Sequence, residues 1–228
     1  MRIGHLVRAL AAATATAAAL LGVPNNAALA SAQPCPDVDV VFARGTNEPP
    51  GIGLTGEAFV AALRAQAGGK TVDVYPVNYP ASVDFSTGVD GIRDASAHVL
   101  DMAATCPKTK MVLGGFSQGA AVMGFVTNDK VPDGVPDSID PGDIPKPMSP
   151  QVASHVAAVA LFGEPTPRFM HTIGQPPVNI GPLYAPKTIA LCADGDVICS
   201  DQGDFAAHGT YPVTGLPNQA ATFVASKL

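Results

Sequence analysis

Ser117 stands in Gly115-Phe116-Ser117-Gln118-Gly119, a G-x-S-x-G pentapeptide. The apolar run Met111-Val112-Leu113 precedes it, and the helix-forming stretch QGAAVMGFV begins at Gln118. A serine in that context is a candidate nucleophile. The strand-to-helix turn is so tight that the positions two before and two after the serine must lack side chains, and the hydroxyl projects above the sheet. The backbone N–H of Gln118 then points to where a carbonyl oxygen would become an oxyanion. The N-terminus of the following helix adds partial positive charge at the same place. The chemistry implied is acyl transfer, for which a serine needs a base and the base needs a carboxylate.

In this architecture the chain order is serine, acid, histidine. That order sorts the histidines of the chain outside its first residues. His98 lies upstream, on a helical stripe, and reads as a packing or surface residue. His155 opens an apolar run, and His171 falls in a Pro-rich loop before any suitable acid. His208, in DFAAHGTYP, lies beyond the last expected strand and is the candidate base. For the acid, CADGDVIC offers Asp194 and Asp196, and spacing leaves both open.

Something must hold these groups together. Five short apolar runs, 37–43, 71–77, 110–114, 155–162 and 187–191, read as buried strands. Between them lie helical patterns: Phe59, Ala62, Leu63 and Gln66 form one stripe, and Ile92, Ser96, Val99, Leu100 and Ala103 a second. Residues 118–127 and 217–227 are further helix formers. Alternation of strand and helix predicts an α/β fold, a parallel sheet with helices on both faces and a site at the carboxyl ends of the strands. Residues 130–150 break the pattern with six prolines among aspartates, and read as an exposed insertion that buries no apolar face.

Residues 1–32 read as a secretory signal peptide: Arg2, His5 and Arg8 precede an Ala/Leu-rich stretch that ends in A-x-A spacing. The apolar stretch is too short for a membrane span. Cleavage would leave a single domain, 33–228, and removing Arg2 and Arg8 takes the net charge from −6 to −8. Such an acidic chain argues against nucleic-acid or anionic-membrane partners, and a monomer without stable membrane insertion is expected. Four cysteines in an exported chain favour two disulfides, with three possible pairings. The short polar segment between Cys192 and Cys199 favours a local bridge, which leaves Cys35 with Cys106. The spacing is not that of a zinc knuckle, and no metal is expected. Gly51-Ile52-Gly53-Leu54-Thr55-Gly56 matches the dinucleotide fingerprint G-x-G-x-x-G. It stands seven residues beyond its strand, and Asp73 falls inside the next one, so a loop over the site is the preferred reading.

Taken together, VVFARGTNE, GGFSQGAAV, VALFGEP and CADGDVIC followed by AAH occur in an order that resembles the cutinase family of secreted serine esterases, and most of all its actinobacterial members. The resemblance covers the whole mature chain. It implies a three-layer α/β-hydrolase sandwich without a lid domain, and no metal or cofactor. By its motifs, Asp196 rather than Asp194 is the acid, His208 the base, and Thr46 the second oxyanion-hole residue beside Gln118. Its disulfide pattern agrees with the pairing above. The expected activity is hydrolysis of a small-molecule or lipid ester outside the cell or at the cell wall. Two features depart from cutin degraders: the polar loop SDQGDFAA before the base, with Asp201 and Asp204, and the 130–150 insertion. Both make short or medium acyl esters and envelope lipids as fitting as polymeric cutin. An acyltransferase with the same triad, and an exported binding protein with a vestigial site, are the alternative classes.

Overall fold

The structure, a computed structural model, describes residues 34–228; the expected signal peptide lies outside them. Five parallel strands make one sheet: β1 (Val38–Ala43), β2 (Val72–Pro76), β3 (Lys110–Phe116), β4 (Val156–Phe162) and β5 (Thr188–Leu191), in the order β2-β1-β3-β4-β5. Each falls on one of the five apolar runs. The runs are continuous rather than alternating because both sheet faces are covered. Val38, Val40 and Phe42 of β1 point into one core, while Val41 and Ala43 point into the other.

The first core is closed by α1 (Gly53–Gln66) and α7 (Leu216–Ala225), through Phe59, Val60 and Leu63 and through Ala220, Ala221 and Val224. The second is closed by α2 (Gly88–Thr105) and α3 (Gln118–Val126), through Ala95 and Val99 and through Ala120, Met123 and Val126. The layers are therefore helix, sheet, helix. Strand order reverses between β1 and β3, and a doubly wound sheet opens its ligand crevice at the carboxyl ends of the strands at that point. Three short helices complete the chain: α4 (Pro150–Ala153), α5 (Pro167–Thr172) and α6 (Phe205–His208). Two disulfides, Cys35–Cys106 and Cys192–Cys199, pair as expected. No helix among the described residues is long and apolar enough to cross a membrane.

Two segments differ from the sequence reading. Within 130–150 the aspartates are exposed, yet Val135, Pro136, Ile139 and Ile144 are half-buried and line a cavity. The segment has no helical or strand period, so its inward apolar side leaves no periodic signal to read. The G-x-G-x-x-G stretch is not a loop over the site, because Gly53 to Gly56 form the first turn of α1. Its helix N-terminus is already occupied: the Glu48 carboxylate accepts from the N–H groups of Leu54 (3.0 Å) and Gly45 (2.6 Å). An internal anion thus sits where a phosphate would bind.

Candidate active site

β3 delivers Ser117 at the switch point. The residue adopts φ 56° and ψ −119°, a left-handed conformation that costs a non-glycine side chain energy and lifts it out of the strand. The flanking glycines have a steric cause. A Cβ on Gly115 would overlap the carbonyl of Gly119, and one on Gly119 would overlap the carbonyls of Ala43 and Arg44. The elbow closes only with hydrogen at both positions. Gln118 is the first residue of α3, so its N–H has no intrahelical acceptor and is free at the helix's positive end.

Thr46 lies in the turn after β1. Its hydroxyl donates to Gln118 Oε1 (3.3 Å), and Gln118 Nε2 donates to the Ser82 carbonyl (3.1 Å). The turn is built around Arg44, whose buried guanidinium donates to the carbonyls of Glu48 (2.8 Å), Tyr79 (2.6 Å), Pro80 (3.3 Å) and Val77 (3.4 Å). The Tyr79 hydroxyl donates back to the Arg44 carbonyl. A buried cation that holds four carbonyls fixes the loop that carries Thr46.

The loop after β5 separates the two carboxylates that spacing left open. Asp194 is exposed, whereas Asp196 is fully buried. Asp196 Oδ1 accepts from the Ile198 N–H (2.9 Å), and Oδ2 accepts from both His208 Nδ1 and the Tyr211 hydroxyl, each at 2.7 Å. An ionised carboxylate only accepts, so the imidazole proton is on Nδ1 and Nε2 carries the lone pair. Nε2 is buried and has no hydrogen-bond partner among the described residues. The ring stacks on Phe116 at 4.8 Å, beside the serine. Cys192, Asp196 and Cys199 cluster within 4.8 Å, but the two sulfurs are bonded to each other and offer no thiolate to a metal.

His208 is carried by α6, and here Asp204 has a role that sequence reading missed. Its carboxylate caps α6 by accepting from the N–H groups of Ala206 (2.8 Å) and Ala207 (3.1 Å). Its own N–H donates to the Gly195 carbonyl (2.9 Å), which ties the loop before His208 to the loop that carries Asp196. Tyr211 was likewise missed. Its buried hydroxyl accepts from the Ala193 N–H (3.0 Å) while it donates to Asp196. Burial raises its pKa far above the usual phenol range, so it remains a donor. Its position three residues after the histidine, on a short helical turn, is the only signal in the chain.

One cavity of about 290 Å³ is lined by Thr46, Ser117, Gln118 and His208 together. Two other histidines among the described residues lie elsewhere. His98 holds the buried Asp39 (2.7 Å) and stacks on Tyr75, while His171 is exposed on α5 rather than in a loop. Glu164, just beyond β4, has no hydrogen-bond or ion-pair partner among the described residues, and burial pushes its carboxyl up to about 7.

Comparison with known proteins shows what this chain is similar to. A family model described as Cutinase matches residues 34–228. The probable carboxylesterase Culp5 of Mycobacterium tuberculosis is 57% identical over 172 residues, which cover 75% of this chain and 96% of that one. The phospholipase Culp4 of the same organism is 48% identical over 96% of this chain and 90% of its own. Among solved structures, the Trichoderma reesei cutinase in complex with a C11Y4 phosphonate inhibitor aligns with a TM-score of 0.60 and 36% identity, covering 85% of this chain and 77% of that one.

Proposed function

The chain belongs to the cutinase family and is a carboxylic ester hydrolase, and from that premise we propose that it cleaves short- to medium-chain acyl esters or lipids with Ser117 as nucleophile, His208 as base and Asp196 as acid. His208 Nε2 takes the proton of the Ser117 hydroxyl as the oxygen attacks the ester carbonyl. The oxyanion is held by the Gln118 N–H and by Thr46. Asp196 stabilises the imidazolium, which then protonates the leaving alcohol. Water, activated by the same histidine, releases the acid and restores the serine.

The observation that carries this reading is the two-sided imidazole. Nδ1 is held by a buried carboxylate, while Nε2 is left without a partner among the described residues, on a side chain that lines the same cavity as Ser117. The test is hydrolysis of p-nitrophenyl butyrate and labelling by a fluorophosphonate, in wild type and in Ser117→Ala. The variant should lose about 10⁴- to 10⁶-fold in kcat and all labelling. Equal rates in the two proteins would refute the assignment. Export is part of the same proposal: both disulfides suit an oxidising compartment, and residues 1–32 carry the pattern of a leader.

A further inference from the structure

The cavity at Ser117 does not end at the triad. Its lining continues along one face of α3, through Ala121, Val122, Phe125 and Val126, and includes the buried polar Asn128 just beyond the helix. Phe169 and Ile173, on and just after α5, form a second side. The third side is the 130–150 insertion, which turns Val135, Pro136, Ile139 and Ile144 inward and keeps Asp133, Asp137, Asp140 and Asp143 in solvent. Arg93 of α2 binds Asp143 (2.7 Å) across the outer surface and ties the insertion to the helical layer. The cavity therefore has one polar end, where the acyl carbonyl would sit, and an apolar lane leading away from it.

We propose that the insertion is the wall of an acyl-chain subsite, and that it gives the enzyme a preference for esters of linear acids of about ten carbons; this rests on the triad reading above. Two independent measures give that length. From Gln118 to Val126 a helix rises roughly 12 Å, and a zigzag chain of ~1.5 Å carbon–carbon bonds covers that distance in about nine or ten bonds. The cavity volume of about 290 Å³ holds roughly ten groups the size of a water molecule, and a methylene is of similar size. Asn128 also lines the cavity, and a longer chain would press its apolar end against an amide whose carbonyl oxygen is buried without a partner among the described residues.

The experiment is a series of p-nitrophenyl esters from acetate to palmitate, read as kcat/KM, in wild type, Ile139→Trp, Ile144→Asp and Ser138→Trp. Wild type should peak near the decanoate and fall beyond it. Ile139→Trp fills the lane and Ile144→Asp makes its wall polar. Each should lower the decanoate-to-butyrate ratio at least tenfold, which is less than the full value of six methylenes at about fourfold each. Ser138, exposed on the same segment and outside the lining, should leave the ratio as it is. A flat wild-type profile would overturn the wall, as would a ratio unmoved by both wall variants or moved equally by Ser138→Trp. Labelling of wild-type Ser117 by a small fluorophosphonate separates the two levels. Labelling with a flat profile refutes the wall alone, and no labelling refutes the triad and the wall with it.

Discussion

Replacing Tyr211 by Phe removes one oxygen and keeps the ring, which packs against Phe116 at 5.2 Å and edge-on against Phe162. Two hydrogen bonds go with that oxygen: the one donated to Asp196 Oδ2 and the one accepted from the Ala193 N–H. A hydrogen bond to a charged group is worth about 1.5–3 kcal/mol, and a buried N–H left without an acceptor costs about 1–3 kcal/mol. Partial relaxation makes the expected loss about 3 kcal/mol, or roughly 10 °C in Tm for a domain of this size. The effect on turnover is separate. Asp196 would be held at Oδ2 by His208 alone, so its orientation loosens, and about 1.4 kcal/mol of lost preorganisation is a tenfold drop in kcat. KM should hardly move, because Tyr211 is buried behind the carboxylate and is not part of the cavity lining. Urea unfolding and p-nitrophenyl butyrate kinetics measure the two effects. A variant with wild-type stability and kcat would refute the argument, and a rise in KM alone would show that the hydroxyl acts on substrate instead.

Two further outcomes follow from the same structure. Burial raises the Glu164 carboxyl from 4.5 to about 7, so between those pH values the unfolded chain has released a proton that the folded chain still holds. Stability therefore falls as pH rises through that window, by about 3 kcal/mol in all. Glu164→Gln should remove this dependence: by urea unfolding it matches wild type at pH 4 and exceeds it at pH 8, and an equal difference at the two pH values would refute the cause. Gly119→Ala should unfold the elbow, because its Cβ meets backbone carbonyls that cannot rotate away, at a cost above the ~1–3 kcal/mol of ordinary overpacking. Thermal melts of both variants check this: Gly134→Ala, with nothing within 4 Å of the added atom, should lose only the roughly 1–2 kcal/mol of a left-handed alanine.

The tight turn at Ser117 and the five strands were legible in the chain because their causes are local. A strand buried on both faces must be an unbroken apolar run, and an elbow must place glycines two residues either side of its serine; neither requirement depends on distant residues. The 130–150 segment was misread for the opposite reason. Val135, Ile139 and Ile144 follow no period, and only their position over α3 makes their inward side a cavity wall. The helix N-terminus of the G-x-G-x-x-G stretch had the motif of a phosphate site, and the Glu48 carboxylate that fills it stands only six residues before Leu54, outside the motif and with a direction that the motif does not state. The division is clearest at the acid. Asp194 and Asp196 are the same residue type, two positions apart in one turn, and composition and spacing treat them alike. The fold does not: it buries Asp196 under three donors, Ile198, His208 and Tyr211, and leaves Asp194 in water. What the sequence determined alone was which residue types could perform acyl chemistry and in what order along the chain. Which carboxylate is buried against His208 was decided by the convergence of the loop after β5 with α6 and Tyr211, because the environment of a charge is set by groups that only the folded chain brings within hydrogen-bonding distance.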